Sequence, residues 1–89
     1  MLFNKQLTPE QRLTKAVVSI MDNPKYVALS GVLMLGDKRI EHNEAECPTA
    51  YTNGRDEIYG AKFVSELNDA ELRFVVLHEC YHKLYRHIT

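Results

Sequence analysis

The chain has 89 residues, 45% of them hydrophobic and 26% charged, with eleven Lys plus Arg against twelve Asp plus Glu. That length holds one small core, and the composition excludes wholesale disorder or a fibrous architecture. A near-neutral charge with basic residues scattered singly offers no electrostatic footprint for nucleic acid, and two cysteines are too few for a secreted disulfide framework.

The opening MLFNKQLTPEQR lacks the apolar core of a signal peptide, and the longest apolar run, VALSGVLMLG, is about half the length of a membrane span. A cytoplasmic setting with reduced thiols follows, without a membrane partner.

TPEQRLTKAVVSIMDNP reads as a complete helix. Thr8 is its N-cap, Pro9 its first residue, Gln11 closes a capping box and Pro24 stops it. Leu13, Ala16, Val17, Ile20 and Met21 recur at helical spacing and form one apolar stripe. YVALSGVLML, residues 26–35, is aliphatic and ends at the turn dipeptide Gly36-Asp37, which predicts a buried strand. KRIEHNEAECP turns polar and reads as a loop or a ragged edge segment.

In AYTNGRDEIYG, Asn53-Gly54 supplies the two positive φ angles of a tight β-hairpin turn. AKFVSEL is a short helical turn carrying Phe63, Val64 and Leu67. NDAELRFVVLHECYHKLYRHI is then a long helix capped by Asn68 and answered by Glu71. The order helix, strand, hairpin, helix predicts an α+β domain over residues 1–89. Its small, mostly antiparallel sheet of about three strands packs against two helices.

LHECYHKLYRH packs three of the four histidines into the last helix. At ~100° per residue, His78 and His82 lie ~40° apart on one face and Glu79 sits ~100° from His78. That is the HExxH arrangement: two neutral imidazoles bind zinc, and the carboxylate between them takes a proton from water. Shuffling this composition yields HExxH in roughly one or two of a hundred trials, so context has to carry the reading. Leu72, Phe74, Val75, Val76, Leu77, Cys80 and Leu84 spread round the rest of the helix and predict burial on nearly all sides. Metal is the simplest partner for a polar arc so enclosed. The competing reading, histidines satisfied by backbone or water, carries less weight.

His87 is the one further imidazole on this helix. On a continuous helix it points ~180° from His78 and ~140° from His82, so it joins the ligand set only if the helix breaks. A C-terminal histidine favoured by the helix dipole is the preferred reading. Cys80, ~200° from His78, belongs to core packing. Glu41, His42, Glu44, Glu46 and Cys47 read as a solvated loop before a metal site. Tyr81 and Tyr85 flank the histidine arc as packing residues whose hydroxyls could serve an oxyanion.

With these residues in view, the chain resembles the metallopeptidase domain found beside von Willebrand factor A-like domains in bacterial and phage proteins, a branch of the zincin clan. The resemblance covers LTPEQRL, the aromatic after Pro24, PTAYTNGRDEIYGAKFV and LNDAELRFVVLHECYHKLYRH; the last two matches are the specific ones. The family usually shows Thr-Asp-Gly where this chain has Thr52-Asn53-Gly54, a change that preserves turn chemistry.

The resemblance implies His78 and His82 as ligands of a Zn2+ cofactor, Glu79 as catalytic base and a peptide or protein as substrate. It also implies a further acidic ligand beyond the last helix, so that residues 1–89 are the N-terminal part of a longer domain. Otherwise His87, or a group from a second copy or a partner chain, completes the site. Three functions follow: a zinc-dependent peptidase, a noncatalytic zincin-fold module that binds metal or protein, and a metal-free fragment that dimerises through its last helix. Imidazole nitrogens also accept iron, nickel or cobalt.

Overall fold

The computed structural model describes residues 7–88, except for the side chains of residues 87 and 88. Helix α1 (Pro9–Met21) begins as the sequence predicts. Thr8 N donates to Gln11 Oε1 at 2.9 Å, Gln11 N donates to Thr8 Oγ1 at 3.1 Å, and Pro9 stands at the first helical position. Leu13, Ala16 and Ile20 are buried and Val17 packs beside them, but Met21 is exposed and leaves the expected stripe.

The expected strand over residues 26–35 is not formed. A 3-10 helix (Pro24–Leu29) runs directly into a single helical turn, α2 (Ser30–Leu33). The start is set locally: Asn23 Oδ1 accepts from Lys25 N at 3.0 Å, and Pro24 supplies a φ already suited to a helix. Tyr26, Leu29, Val32 and Leu33 face the core at intervals of three and one, while Val27 and Met34 are exposed. The apolar run therefore buries one side only. Gly36 then turns the chain at φ 72°, where a Cβ would sit 2.1 Å from the Arg55 carbonyl oxygen. No other residue fits there without moving the backbone.

Strands β1 (Lys38–Glu41), β2 (Ala50–Thr52) and β3 (Glu57–Gly60) form one sheet in the order β1-β3-β2. β2 pairs antiparallel with β3, and β1 pairs parallel with it. The sheet is thus evenly mixed and not mostly antiparallel, because the segment read as a ragged edge comes back as a parallel neighbour.

The hairpin is present, but its loop is four residues, 53–56, since Thr52 pairs with Glu57. Asn53 acts through its side chain, whose Oδ1 accepts from Arg55 N at 2.9 Å and Asp56 N at 2.8 Å. Gly54 carries the positive φ of 95°.

α3 (Ala61–Glu66) buries Val64, and α4 (Asp69–Ile88) follows. Asn68 N donates to Glu71 Oε1 and Glu71 N donates to Asn68 Oδ1, both at 2.8 Å, completing the second capping box. α4 packs on α1, β2 and α2, around a core that joins Leu13, Ile20, Leu33, Tyr59, Val64, Leu72, Val76 and Cys80. Among the described residues no helix is long and apolar enough to cross a membrane.

Charges join α4 to the rest at two places. At its start, Asp69 binds Arg12 and Lys15 of α1, each at 3.1 Å. Near its end, Lys83 and Glu57 are both fully buried, with Lys83 Nζ 2.5 Å from Glu57 Oε2. Lys83 Nζ also donates to the Leu35 carbonyl at 2.8 Å. Lys38 Nζ stands 3.2 Å from the same Glu57 oxygen and donates to the Leu33 carbonyl. The Tyr59 hydroxyl donates to Glu57 Oε1. Glu57 Oε2 meets the two ammonium groups by charge, without a well-aligned hydrogen bond. Burial first, and then the Glu57 charge, push the Tyr59 hydroxyl well above its usual pKa.

Two outcomes follow. Lys83→Met alone should lower unfolding free energy by about 3 kcal/mol, the low end for a broken buried pair because Lys38 still faces the Glu57 carboxylate, whereas Lys83→Met with Glu57→Gln should recover part of that loss. Urea titration of both variants checks it. Arg12 first, and Lys15 after it, hold the Asp69 carboxyl below its usual 3.8. A depressed folded pKa stabilises above the unfolded value and ceases to do so as pH falls through the folded one. Asp69→Asn should therefore unfold at lower urea than wild type at neutral pH, the gap closing as pH drops below 3.8.

Candidate metal centre

His78 and His82 stand one turn apart on α4, and their rings converge: the two Nε2 atoms are 3.0 Å apart. The ring centroids are 4.5 Å apart, with planes at 84°. Zinc with nitrogens at 2.0–2.1 Å in a tetrahedron needs them about 3.3–3.4 Å apart. A few tenths of an ångström of opening therefore converts this contact into a pair of ligands. Without an ion, one Nε2 must carry a proton and donate to the other. Phe74, one turn earlier, stacks on His78 with centroids 6.2 Å apart and planes at 26°. It steadies the first ring of the pair.

The face carrying these rings is open. His78, His82, Phe74, Tyr81 and Tyr85 are all exposed, so α4 is not buried on nearly all sides as its apolar content predicts. Its core side is instead the arc of Leu72, Val76, Cys80 and Lys83, each at most 1% exposed. Cys80 lies in the core as expected.

Glu79 parts from its neighbours. At 6% exposure it is turned inward beside the histidine face, and burial pushes its carboxyl above the usual value. His82 and His78 oppose that shift, and Glu57 adds to it. A carboxyl so placed is a stronger base than one in water.

Among the described residues no group of three His, Cys, Asp or Glu side chains could hold a metal ion. α4 continues unbroken through Ile88, so its backbone carries His87 on past the pair; the His87 side chain lies outside the described residues. The acidic loop after β1 does not gather on the site. His42 Nε2 binds Glu10 at 2.7 Å, Glu44 binds Lys62 at 3.4 Å, and Glu41 Oε2 accepts from Asn43 N at 3.1 Å. Cys47 is buried, its thiol donating to the Thr49 carbonyl at 3.3 Å and pushed up by burial. Both cysteines are free thiols.

Tyr81 and Tyr85 each follow a histidine by three residues and stand on its face, Tyr81 at 47% and Tyr85 at 68% exposure. The ammonium and carboxylate cluster behind the site is not among the residues that spacing and motif single out. Its signal was present: Lys83 falls seven residues after Val76 and eleven after Leu72, within the core arc, where a charge needs a buried partner.

Toward a zinc ion the described residues present two imidazole nitrogens near the separation of tetrahedral ligands, exposed to solvent, with a buried carboxyl next to them in the helix and no third donor. No protein-family model matches this chain, and no curated protein or solved structure matches it either.

Proposed function

We propose that this chain carries the metal-binding helix of a zinc-dependent peptidase, with His78 and His82 as ligands and Glu79 as general base. The observation that supports the reading is the 3.0 Å approach of the two Nε2 atoms beside a buried glutamate. A zincin-like arrangement of the α+β domain goes with the same reading.

Zinc bound there supplies a Lewis acid that polarises a scissile carbonyl and makes water more acidic. Glu79 takes the proton from the attacking water on a carboxyl oxygen and passes it to the departing amine. Phe74 and the helix backbone hold the first imidazole in place, while Tyr81 and Tyr85 are the hydroxyl groups nearest in sequence for an oxyanion. An extended peptide would add along β2, the sheet edge that packs by α4. Two free, buried thiols accord with the cytoplasmic setting proposed from the sequence.

A noncatalytic zincin-fold module that binds metal or protein is the second reading. It draws on the ligand set, which among the described residues stops at two imidazoles. Zinc content and peptide hydrolysis, measured on protein purified without a histidine tag, separate the two. Wild type should retain zinc through dialysis and His78→Ala should lose it. Glu79→Gln should keep the zinc while turnover falls by about 10^2–10^4. Zinc retained by wild type with no turnover on a peptide library would leave the noncatalytic module; zinc retained equally by His78→Ala would remove the site.

A further inference from the structure

We propose that α4 pairs with α4 of a second copy about a shared zinc ion, His78 and His82 of each copy supplying the four nitrogens. The inference rests on the metal reading of these two residues and goes beyond the peptidase. A closed four-imidazole site has no position left for water or substrate, so the pair is a resting, inactive form.

Two independent observations carry it. The first is the ligand count: one copy presents two converged nitrogens and, among the described residues, no third metal-binding side chain. Closed zinc sites are four-coordinate and tetrahedral. Two copies related by a twofold axis supply that number from identical parts.

The second is the spacing of the exposed residues. Phe74, His78, Tyr81 and Tyr85 follow one another at intervals of four, three and four, the 3.5-residue repeat of a helix-pairing seam. All four are exposed, Phe74 at 69% and Tyr85 at 68%. A stripe with this period fits another helix better than it fits a sheet or a loop. In an antiparallel pair centred between Glu79 and Cys80, Phe74 of one copy meets Tyr85 of the other, and His78 meets Tyr81. The same axis passes about half a residue from the midpoint of His78 and His82 in each copy, so aromatic layers close both ends of the metal site.

Twelve residues of seam span only about 17 Å, too short for the roughly 800 Å² per partner of a stable interface. The helices alone should stay apart, and zinc should bring them together. The pairing is therefore metal-dependent and strongest when zinc is scarcer than protein. Excess zinc gives each copy its own ion and releases the monomer with coordination positions open.

Light scattering coupled to size exclusion, with metal analysis, tests this on the untagged chain stripped with EDTA and titrated with zinc chloride. Expected are a monomer without zinc, a dimer at half an equivalent containing one zinc per two chains, and return toward monomer in excess zinc. Phe74→Ser with Tyr85→Ser, checked for unchanged helix content by circular dichroism and compared with wild type at equal bound zinc, should weaken dimerisation at least tenfold. Monomer holding one zinc per chain throughout the titration overturns the pairing and leaves the metal site intact. A dimer that persists in EDTA overturns the bridge, and a chain that binds no zinc removes the pairing together with the peptidase reading.

Discussion

A lysine with no solvent exposure, closed against a glutamate with none, decides how α4 sits in this molecule. Removing two charges from water costs more than their attraction returns unless further polar groups complete the site. Here the Leu35 carbonyl takes Lys83, the Leu33 carbonyl takes Lys38 and the Tyr59 hydroxyl takes the second Glu57 oxygen, leaving Glu57 Oε2 held by the two ammonium charges alone. The value of such a cluster lies in direction. An apolar arc alone tolerates rotation of a helix by a fraction of a turn, but an ammonium that must meet one carboxylate does not.

That constraint reaches the histidines through helix geometry. Lys83 lies ~100° from His82 and ~140° from His78, so holding it inside turns both imidazoles outward together. Glu79, one turn before Lys83 and ~40° from it, is drawn to the inner side and loses water. One helix therefore presents two imidazole nitrogen donors to solvent and keeps a basic carboxyl shielded behind them. The Asp69 contacts with Arg12 and Lys15 fix the other end of the same helix against α1.

What the sequence discloses is what depends on neighbours in the chain. The capping boxes of Thr8 with Gln11 and Asn68 with Glu71 are four-residue devices and were fully readable. So was the convergence of His78 and His82. The stretch 26–35 was misread because an apolar run suits a buried strand as well as a helix packed on one side; Asn23-Pro24 was the local sign in favour of the helix. The parallel pairing of β1 rests on which edge of β3 it takes, and no local spacing encodes that. Lys83 announces its burial by position, yet its partner is 26 residues away and emerges only from the register of β3. The openness of the histidine face is equally nonlocal, since exposure depends on what packs there.

The two borders of the sheet are chemically unequal. β1 carries Lys38, Arg39 and Glu41 within four residues, whereas β2 is Ala50, Tyr51 and Thr52, without a charge. A stray chain laid along β1 would have to dehydrate ionic groups, the usual natural safeguard against runaway polymerisation. β2 has no such guard, so any association by backbone pairing is funnelled to the border that packs by α4.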